Sequence, residues 1–216
     1  MNYFYNSEYF KLKEIEIEGY QHYSQEELRS YLNEFKGKNI FEIDKKMVEQ
    51  VLFQNCSWIK EVDFSKVFPD KMKVLVVERK PFILTKYRSN FFLLDSEGIV
   101  LEHFQNEKPE QHDNLILVTN ALDFKPEIGD KVAKKNALSC GDIFMSMDNE
   151  LKSIFRQAQL GDNFGEIVFI TTEDKRIVFG SSDDTAQKLS ILKELLKDDV
   201  NYNIIDLTNF ENPVIN

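Results

Sequence analysis

The first part of the chain changes from a two-residue to a helical repeat of apolar positions. Ile15 and Ile17 stand between glutamates, and this period of two is typical of a strand with one buried face. Residues 28–35 then carry apolar side chains at helical spacing, and Ser24 with Glu27 forms a capping box in front of them. The pattern predicts a half-buried strand followed by an amphipathic helix.

A second helix and a hairpin follow. Asp44 is placed to cap a helix whose apolar residues share one face over 47–52. Residues 58–64 alternate, and a turn at Pro69 leads to residues 71–78, which are rich in β-branched side chains. The predicted order is therefore β-α-α-β-β. Because a sheet with an apolar face needs a second layer, we expect the two helices to cover one face of a three-stranded sheet.

The pattern of apolar and polar positions changes at Pro81. This proline restricts the preceding residue to extended geometry and marks a predicted domain boundary. Beyond it the pattern predicts a β-rich meander with two inserted helices, one over 133–147 and one that begins after Asp184. The predicted strands are 82–87, 90–95, 98–104, 115–119, 153–160, 166–171, 176–179 and 203–207. Glycines in residues 161–165 indicate a hairpin turn rather than a phosphate loop, since no helix opens there.

Charge and hydropathy narrow the class of protein. Lys and Arg number 27 against 37 Asp and Glu, a net charge of -10, which argues against nucleic acid or an anionic membrane surface as the main partner. No apolar run approaches the roughly 18–20 residues of a membrane helix. Residues 1–5 lack the features of a signal peptide, which fits either a cytoplasmic protein or an extracytoplasmic fragment.

Candidate chemistry is sparse. The three histidines, at 22, 103 and 112, lie far apart and have no partner at metal-ligand spacing, so we predict no metal site. The aspartate pairs at 183–184 and 198–199 flank one helix, where capping and solvation explain them more simply than acid–base catalysis does. No nucleophile motif or cofactor fingerprint is present, and we predict neither an active site nor a cofactor.

The two cysteines are predicted to be free thiols. Cys56 belongs to the first half of the chain and Cys140 to the second, and a disulfide needs Cα atoms within about 7 Å. Two cysteines in a chain of this length do not form a disulfide framework.

The end of the chain presents the strongest candidate for a binding surface. A meander that ends in a short strand exposes an edge, to which a partner segment can add as one more strand. The predicted partner-binding residues are Tyr202, Ile204, Ile205, Asp206, Leu207, Phe210, Val214 and Ile215. We expect Phe210 to be the anchor, because aromatic residues dominate interface hot spots, and Val214→Pro to remove a donor from the edge. Packing of Phe210 in the core is the alternative.

Several motifs resemble those of a known family. Residues 15–19, 37–44 and 58–62 resemble a POTRA domain. Residues 78–82 (ERKPF) and 94–100 (LDSEGIV) narrow the resemblance to the FtsQ/DivIB family of bacterial cell-division proteins. The resemblance extends over nearly the whole chain.

The resemblance implies an α+β fold with a POTRA domain over residues 1–80, followed by a mostly antiparallel β domain with inserted helices over 81–216. It implies a non-enzymatic scaffold of the division machinery that recruits FtsB/DivIC-like and FtsL-like bitopic proteins through its C-terminal region. Members are single-pass proteins of the inner membrane with this region outside the cytoplasm. We therefore expect the sequence to be an extracytoplasmic fragment whose membrane helix is missing.

Two positions depart from the family pattern. Cys56-Ser57 stands where a proline is usual, and Thr208 stands where an arginine is usual, which leaves open whether a charged contact of the family is kept. One rival interpretation is a POTRA protein of outer-membrane assembly or secretion, which would continue into further POTRA repeats or a barrel. Another is an enzyme such as a cell-wall hydrolase, which would need a nucleophile or a metal constellation.

Overall fold

A computed structural model describes residues 7–132, 134–161, 166–197 and 202–216. Residues 162–165 of the turn predicted at 161–165, and the aspartates at 198–199, lie outside the described residues. Contacts between Cα atoms divide the chain into two units, Met1–Lys80 and Pro81–Asn216.

The first unit is a three-stranded sheet covered by two helices. Its elements are β1 Glu14–Glu18, α1 Gln25–Leu32, α2 Lys45–Asn55, β2 Ile59–Val67 and β3 Lys71–Glu78, with 3-10 turns at Glu8–Phe10, Asn33–Phe35 and Ile40–Glu42. The strand order is β1-β3-β2. β3 runs parallel to β1 and antiparallel to β2. The predicted β-α-α-β-β order is confirmed.

Local chemistry explains where both helices begin. The Ser24 hydroxyl accepts a hydrogen bond from the Glu27 backbone N–H at 3.2 Å, and the Asp44 carboxylate accepts one from the Met47 N–H at 2.9 Å. Each bond satisfies one of the donors that a helix N-terminus leaves without a partner. The apolar faces that follow pack with the inner face of the sheet in one buried cluster.

The loop between β1 and α1 is held against β3 at two points. Gly19 has a φ of +87°, and a Cβ atom there would lie 2.1 Å from the Val76 carbonyl oxygen, so only glycine fits without a shift. The Glu78 carboxylate accepts hydrogen bonds from the backbone N–H groups of residues 21, 22 and 23, at 3.0, 2.7 and 3.3 Å. Charge-assisted bonds of this kind are stronger than neutral ones.

The second unit is built on a nine-stranded sheet with the order β12-β11-β10-β9-β8-β7-β4-β5-β6. Its strands are β4 Pro81–Tyr87, β5 Asn90–Asp95, β6 Val100–Gln105, β7 Leu117–Thr119, β8 Phe155–Leu160, β9 Ile167–Thr171, β10 Arg176–Gly180, β11 Ile204–Asp206 and β12 Val214–Ile215. Its helices are α3 Lys135–Ser146, α4 Asn149–Ile154 and α5 Thr185–Lys197, with a 3-10 turn at Glu110–His112. The pairs β4–β7, β7–β8 and β10–β11 are parallel and the other five are antiparallel, so the mostly antiparallel architecture is confirmed.

Helix α4 was not predicted, and the strand predicted from residue 153 begins at Phe155 instead. The Asp148 carboxylate starts this short helix by accepting a hydrogen bond from the Leu151 N–H at 3.0 Å. In helix α3, Gly141 lies against β4: a Cβ atom there would be 2.5 Å from the Phe82 ring and 2.7 Å from the Ile83 side chain. The helix therefore packs more closely on the sheet than any larger residue would permit.

Cys56 and Cys140 are both buried and both free, which confirms the prediction of free thiols. Each belongs to the core of a different unit. Burial raises the pKa of each thiol to about 12, because the interior disfavours the thiolate. Both groups are therefore protonated at neutral pH and chemically unreactive while the protein is folded.

Candidate partner-binding edge

Strand β12 ends the large sheet. It pairs antiparallel with β11, which in turn pairs parallel with β10. Within the part of the chain that the structure describes, no strand lies beyond β12. We call the two residues of this strand, Val214 and Ile215, the terminal edge.

A tight turn brings the chain back to form this edge. The Asp206 carboxylate accepts hydrogen bonds from the Thr208 N–H at 2.8 Å and from the Thr208 hydroxyl at 2.6 Å. The Asn212 N–H donates to the Asn209 carbonyl at 3.1 Å, and Pro213 then leads into β12. The short polar side chain at 206 thus starts the reversal that places Val214 beside β11.

The register shows which main-chain groups face outward. Asn216 and Ile204 exchange two hydrogen bonds of 2.9 Å each, so they form a hydrogen-bonded pair. Since such pairs alternate along an antiparallel ladder, Val214 faces Asp206 and the N–H and C=O of Ile215 point away from β11. Ile215 therefore carries the outward donor of the edge, whereas the neighbouring outward position, Pro213, has no N–H to donate.

This register corrects one prediction. Val214→Pro would remove a donor that faces β11, not one that faces a partner, because Val214 and Asp206 are opposite each other in a hydrogen-bonded pair. The substitution that removes an outward donor is Ile215→Pro.

Burial divides the predicted partner-binding residues into two groups. Tyr202, Ile205 and Leu207 lie in the core of the second unit, so their side chains do not offer a surface to a partner, and this part of the prediction is corrected. Ile204, Asp206 and Phe210 are half-buried. Val214 is 52% exposed and Ile215 is 36% exposed.

The alternation of the sequence carried the signal for this division. Ile205 and Leu207 are two residues apart, and in a strand such residues share one face. The same geometry places the Ile215 side chain on the face of Ile205, its opposite partner, at the margin of the core. Phe210 is not among the partly buried residues that pack on the described core.

On the side away from β12, strand β11 is hydrogen-bonded to β10. The Arg176 N–H donates to the Asn203 carbonyl at 2.9 Å, and the Leu207 N–H donates to the Val178 carbonyl at 2.8 Å. The Lys175 ammonium lies 4.6 Å from the centre of the Tyr202 ring. Burial raises the pKa of Tyr202, and Lys175 acts in the opposite direction. Strand β11 is thus fixed to β10, and it presents β12 as the outer strand.

The rest of the described chain offers little chemistry. They contain no group of three or more metal-ligating side chains. An open groove of about 450 Å³ is lined by Ser146, Met147, Leu151, Thr185, Ala186, Leu189, Ser190 and Lys193. Its Lys193 ammonium forms an ion pair with Asp148, and this pair lowers the pKa of the Asp148 carboxyl. Nothing in this lining resembles a nucleophile with its base.

The comparisons with known proteins agree on one family. The model of the FtsQ-type POTRA domain matches residues 10–79. Cell division protein FtsQ of Chloroflexus aggregans is 29% identical over 204 residues, which span 93% of this chain and 72% of that protein. Cell division protein DivIB of Clostridium botulinum (strain Loch Maree) is 26% identical over 198 residues, 88% of this chain and 74% of that protein. Residues 10–79 thus match a POTRA domain of the FtsQ type, and the chain is similar to FtsQ and DivIB cell-division proteins over most of its length.

A solved structure of the major extracytoplasmic domain of DivIB from Geobacillus stearothermophilus was also found. It is 14% identical, covers 57% of this chain and 98% of its own, and has a TM-score of 0.37. A score that low does not establish a shared fold, so the POTRA assignment rests on the family match and on the strand order. The FtsQ/DivIB relatives are named as cell division proteins and not as enzymes. Among the helices that the structure describes, none combines the length and apolar character needed to cross a bilayer.

Proposed function

We propose that this protein is a member of the FtsQ/DivIB family and a non-enzymatic scaffold of the division machinery that binds FtsB/DivIC-like and FtsL-like bitopic proteins outside the cytoplasm. The observation that carries the proposal is the terminal edge, where two exposed apolar residues end a nine-stranded sheet. Exposed strand edges are templates for pairing with another chain unless charge, proline or a covering element blocks them.

A partner segment binds here by strand addition. Its main chain pairs with the outward N–H and C=O of Ile215, and main-chain hydrogen bonds supply much of the affinity in this mode of recognition. Because the Ile215 side chain shares a face with Ile205, the partner residue opposite Ile215 extends the apolar face of the sheet. An apolar residue at that partner position is therefore favoured.

Phe210 serves as the aromatic anchor beside the terminal edge. It is half-buried and lies in the turn between β11 and β12. Truncation of an interface anchor lowers affinity by about 2 kcal/mol or more. The polar contact at Thr208 replaces the arginine that is usual in the family, so main-chain pairing and apolar contact dominate in this chain.

The two units act as separate domains of the scaffold. Each has its own apolar cluster, and Pro81 begins the second unit. The protein is held at the inner membrane by an N-terminal helix, which leaves both domains on the extracytoplasmic side. This arrangement delivers the terminal edge to bitopic partners anchored in the same membrane.

The test measures the affinity of the chain for the extracytoplasmic segment of an FtsB/DivIC-type protein by titration calorimetry. Ile215→Pro removes the outward donor and should weaken binding by at least about tenfold, or 1.4 kcal/mol. Ile215→Val keeps the donor and is the matched control, with affinity close to that of the native chain. Equal binding by the proline variant, with its circular dichroism spectrum unchanged, would place the partner elsewhere.

The same titration with Phe210→Ala tests the anchor. Lower affinity at an unchanged melting temperature supports an interface role. A melting temperature lowered by several degrees without partner assigns Phe210 to the core instead and removes it from the site.

A further inference from the structure

A lysine is buried in the second unit close to the terminal edge. Lys188, in helix α5, is 3% exposed. Burying an ammonium group is unfavourable unless its donors find partners, and an aliphatic side chain would fill the same volume without that cost. The position therefore requires an explanation beyond packing.

The partners of Lys188 lie at an irregularity in β10. Its ammonium donates to the Phe179 and Ser181 carbonyls at 3.0 Å each. The register of β10 against β9 shifts between Val178 and Gly180, so Phe179 is the extra residue of a β-bulge. A bulge leaves its extra residue without a ladder partner, and Lys188 satisfies the carbonyl that this bulge sets free.

The bulge packs against the turn that connects β11 to β12. Gly180 has a φ of +75°, and a Cβ atom there would lie 3.0 Å from the Thr208 side chain. Thr208 bonds to the Asp206 carboxylate through its N–H and its hydroxyl. Lys188 thus holds the carbonyls on both sides of Gly180, and Gly180 lies beside Thr208, where the reversal starts.

We propose that Lys188 is a positioning residue for the terminal edge: by holding the bulge in β10, it sets the place at which the turn after β11 begins. The partner-binding part of this inference rests on the proposed function. Burial lowers the pKa of Lys188, and the negative charges of Asp183 and Asp184, at the start of the same helix, offset part of this lowering. No described contact of Lys188 involves the groups that would pair with a partner, so it acts through the bulge alone.

The experiment uses Lys188→Met, which keeps an unbranched side chain and removes the donors. Amide hydrogen exchange is measured in the free protein, and affinity for the FtsB/DivIC-type segment is measured below the melting temperature. We expect exchange at Leu207 and Asn216 to accelerate at least tenfold and the affinity to fall about tenfold. Exchange in β5, at the other side of the sheet, should change much less.

The matched control is Thr85→Val. The Thr85 hydroxyl is buried and donates to the Val118 carbonyl at 2.9 Å, so its loss also removes a donor to a buried carbonyl in the same unit, but between β4 and β7. We expect this variant to lose stability without a change in partner affinity. If both variants change affinity and edge exchange equally, Lys188 is only a core residue and the inference fails.

A second variant covers the case in which Lys188→Met does not fold. Gly180→Ala leaves Lys188 in place and presses a methyl group on Thr208, and it should likewise speed exchange at Asn216 and weaken binding. Unchanged exchange and affinity in this variant would overturn the inference. If the native chain does not bind the segment, the proposed function fails, whereas edge exchange in the free variants still decides the role of Lys188.

Discussion

The two sheets differ in the charge that their edge strands carry. Both outer strands of the three-stranded sheet carry charge: β1 has three glutamates in five residues, and β2 has lysine, glutamate and aspartate side chains along nine residues. Strand β12 of the large sheet has no charged residue, and its defences are its shortness and Pro213. Natural proteins use charge to prevent pairing at edges, so the uncharged edge is the one suited to a partner strand.

The charges of the first unit also form cross-strand pairs. The Lys71 ammonium lies 3.0 Å from the Glu14 carboxylate, and Lys73 lies 3.2 Å from Glu16. Exposed pairs of this kind add little to stability, with values of about 0–1 kcal/mol. Their effect on an approaching strand is larger, because each charged group would have to give up water. The first unit is therefore built to remain unpaired at β1.

The largest effect on this comparison is expected from Gly19→Ala. The new methyl group would lie 2.1 Å from the Val76 carbonyl oxygen, so we expect the free energy of unfolding of the first unit to fall by about 3 kcal/mol or more. Gly37→Ala is the matched control: its φ is +80° but nothing lies within 4 Å, and the loss should be about 1–2 kcal/mol. Urea denaturation measures both.

The Gly19 variant also separates the two units. Partner affinity should survive when the first unit is destabilised, because the terminal edge belongs to the second. A parallel loss of affinity would show that the first unit contributes to the site.

A smaller loss is expected from Glu78→Gln. The carboxylate accepts three backbone N–H bonds from the loop after β1, and an amide group accepts them less strongly. The free energy of unfolding of the first unit should fall by about 1–3 kcal/mol. Glu61→Gln, at an exposed position of β2, should change it by less than about 0.5 kcal/mol. Thermal melts that do not separate the two variants would contradict this role of Glu78.

Giving β12 the kind of charge that protects β1 tests the edges directly. Val214→Lys should reduce partner affinity about tenfold, or 1.4 kcal/mol, and leave the fold intact, since the side chain is 52% exposed. Val77→Lys is the control in the first unit, where the side chain is 45% exposed on the open face of β3. If the control weakens binding as much as Val214→Lys does, the distinction between the edges does not hold.

The smallest expected difference between the two units is in the urea concentration at which their thiols become reactive. Both have a pKa of about 12, so at pH 8 neither should be alkylated in the folded protein. On addition of urea, Cys56 should react at a lower concentration than Cys140, because the smaller unit buries less of its surface. Mass spectrometry counts the labels, and labelling of Cys140 first would reverse the order of stability.

Local patterns predicted most of the elements, and pairing over long distances was beyond them. The β-branched residues of 71–78 located β3 at its observed bounds, and the side chains of Ser24 and Asp44 marked the helix starts. Helix α4 was missed because six residues hold too little of a helical repeat to distinguish it from the following strand. β10 and β11 are separated in the sequence by helix α5, so their parallel pairing depends on contacts between distant residues, which no local pattern encodes.

The candidate site shows the same division. Apolar residues near the end of the sequence predicted an edge, and the alternation of Ile205 with Leu207 held the information that both face the core. The outward direction of the Ile215 N–H depends on the register of β12 against β11, in which Asn216 pairs with Ile204, and this register follows from the turn that starts at Thr208. The burial of Lys188 was not predicted, because a lysine in an amphipathic helix is ordinarily exposed.

Exchange of the Ile215 amide hydrogen, measured by NMR with and without the FtsB/DivIC-type segment, tests the central claim most directly. Strand addition at the terminal edge predicts that this amide exchanges at least ten times more slowly in the complex, while the amides of β1 and β2 keep their rates. An unchanged rate at Ile215, with protection gained instead along β1 or β2, would contradict the assignment of the partner site.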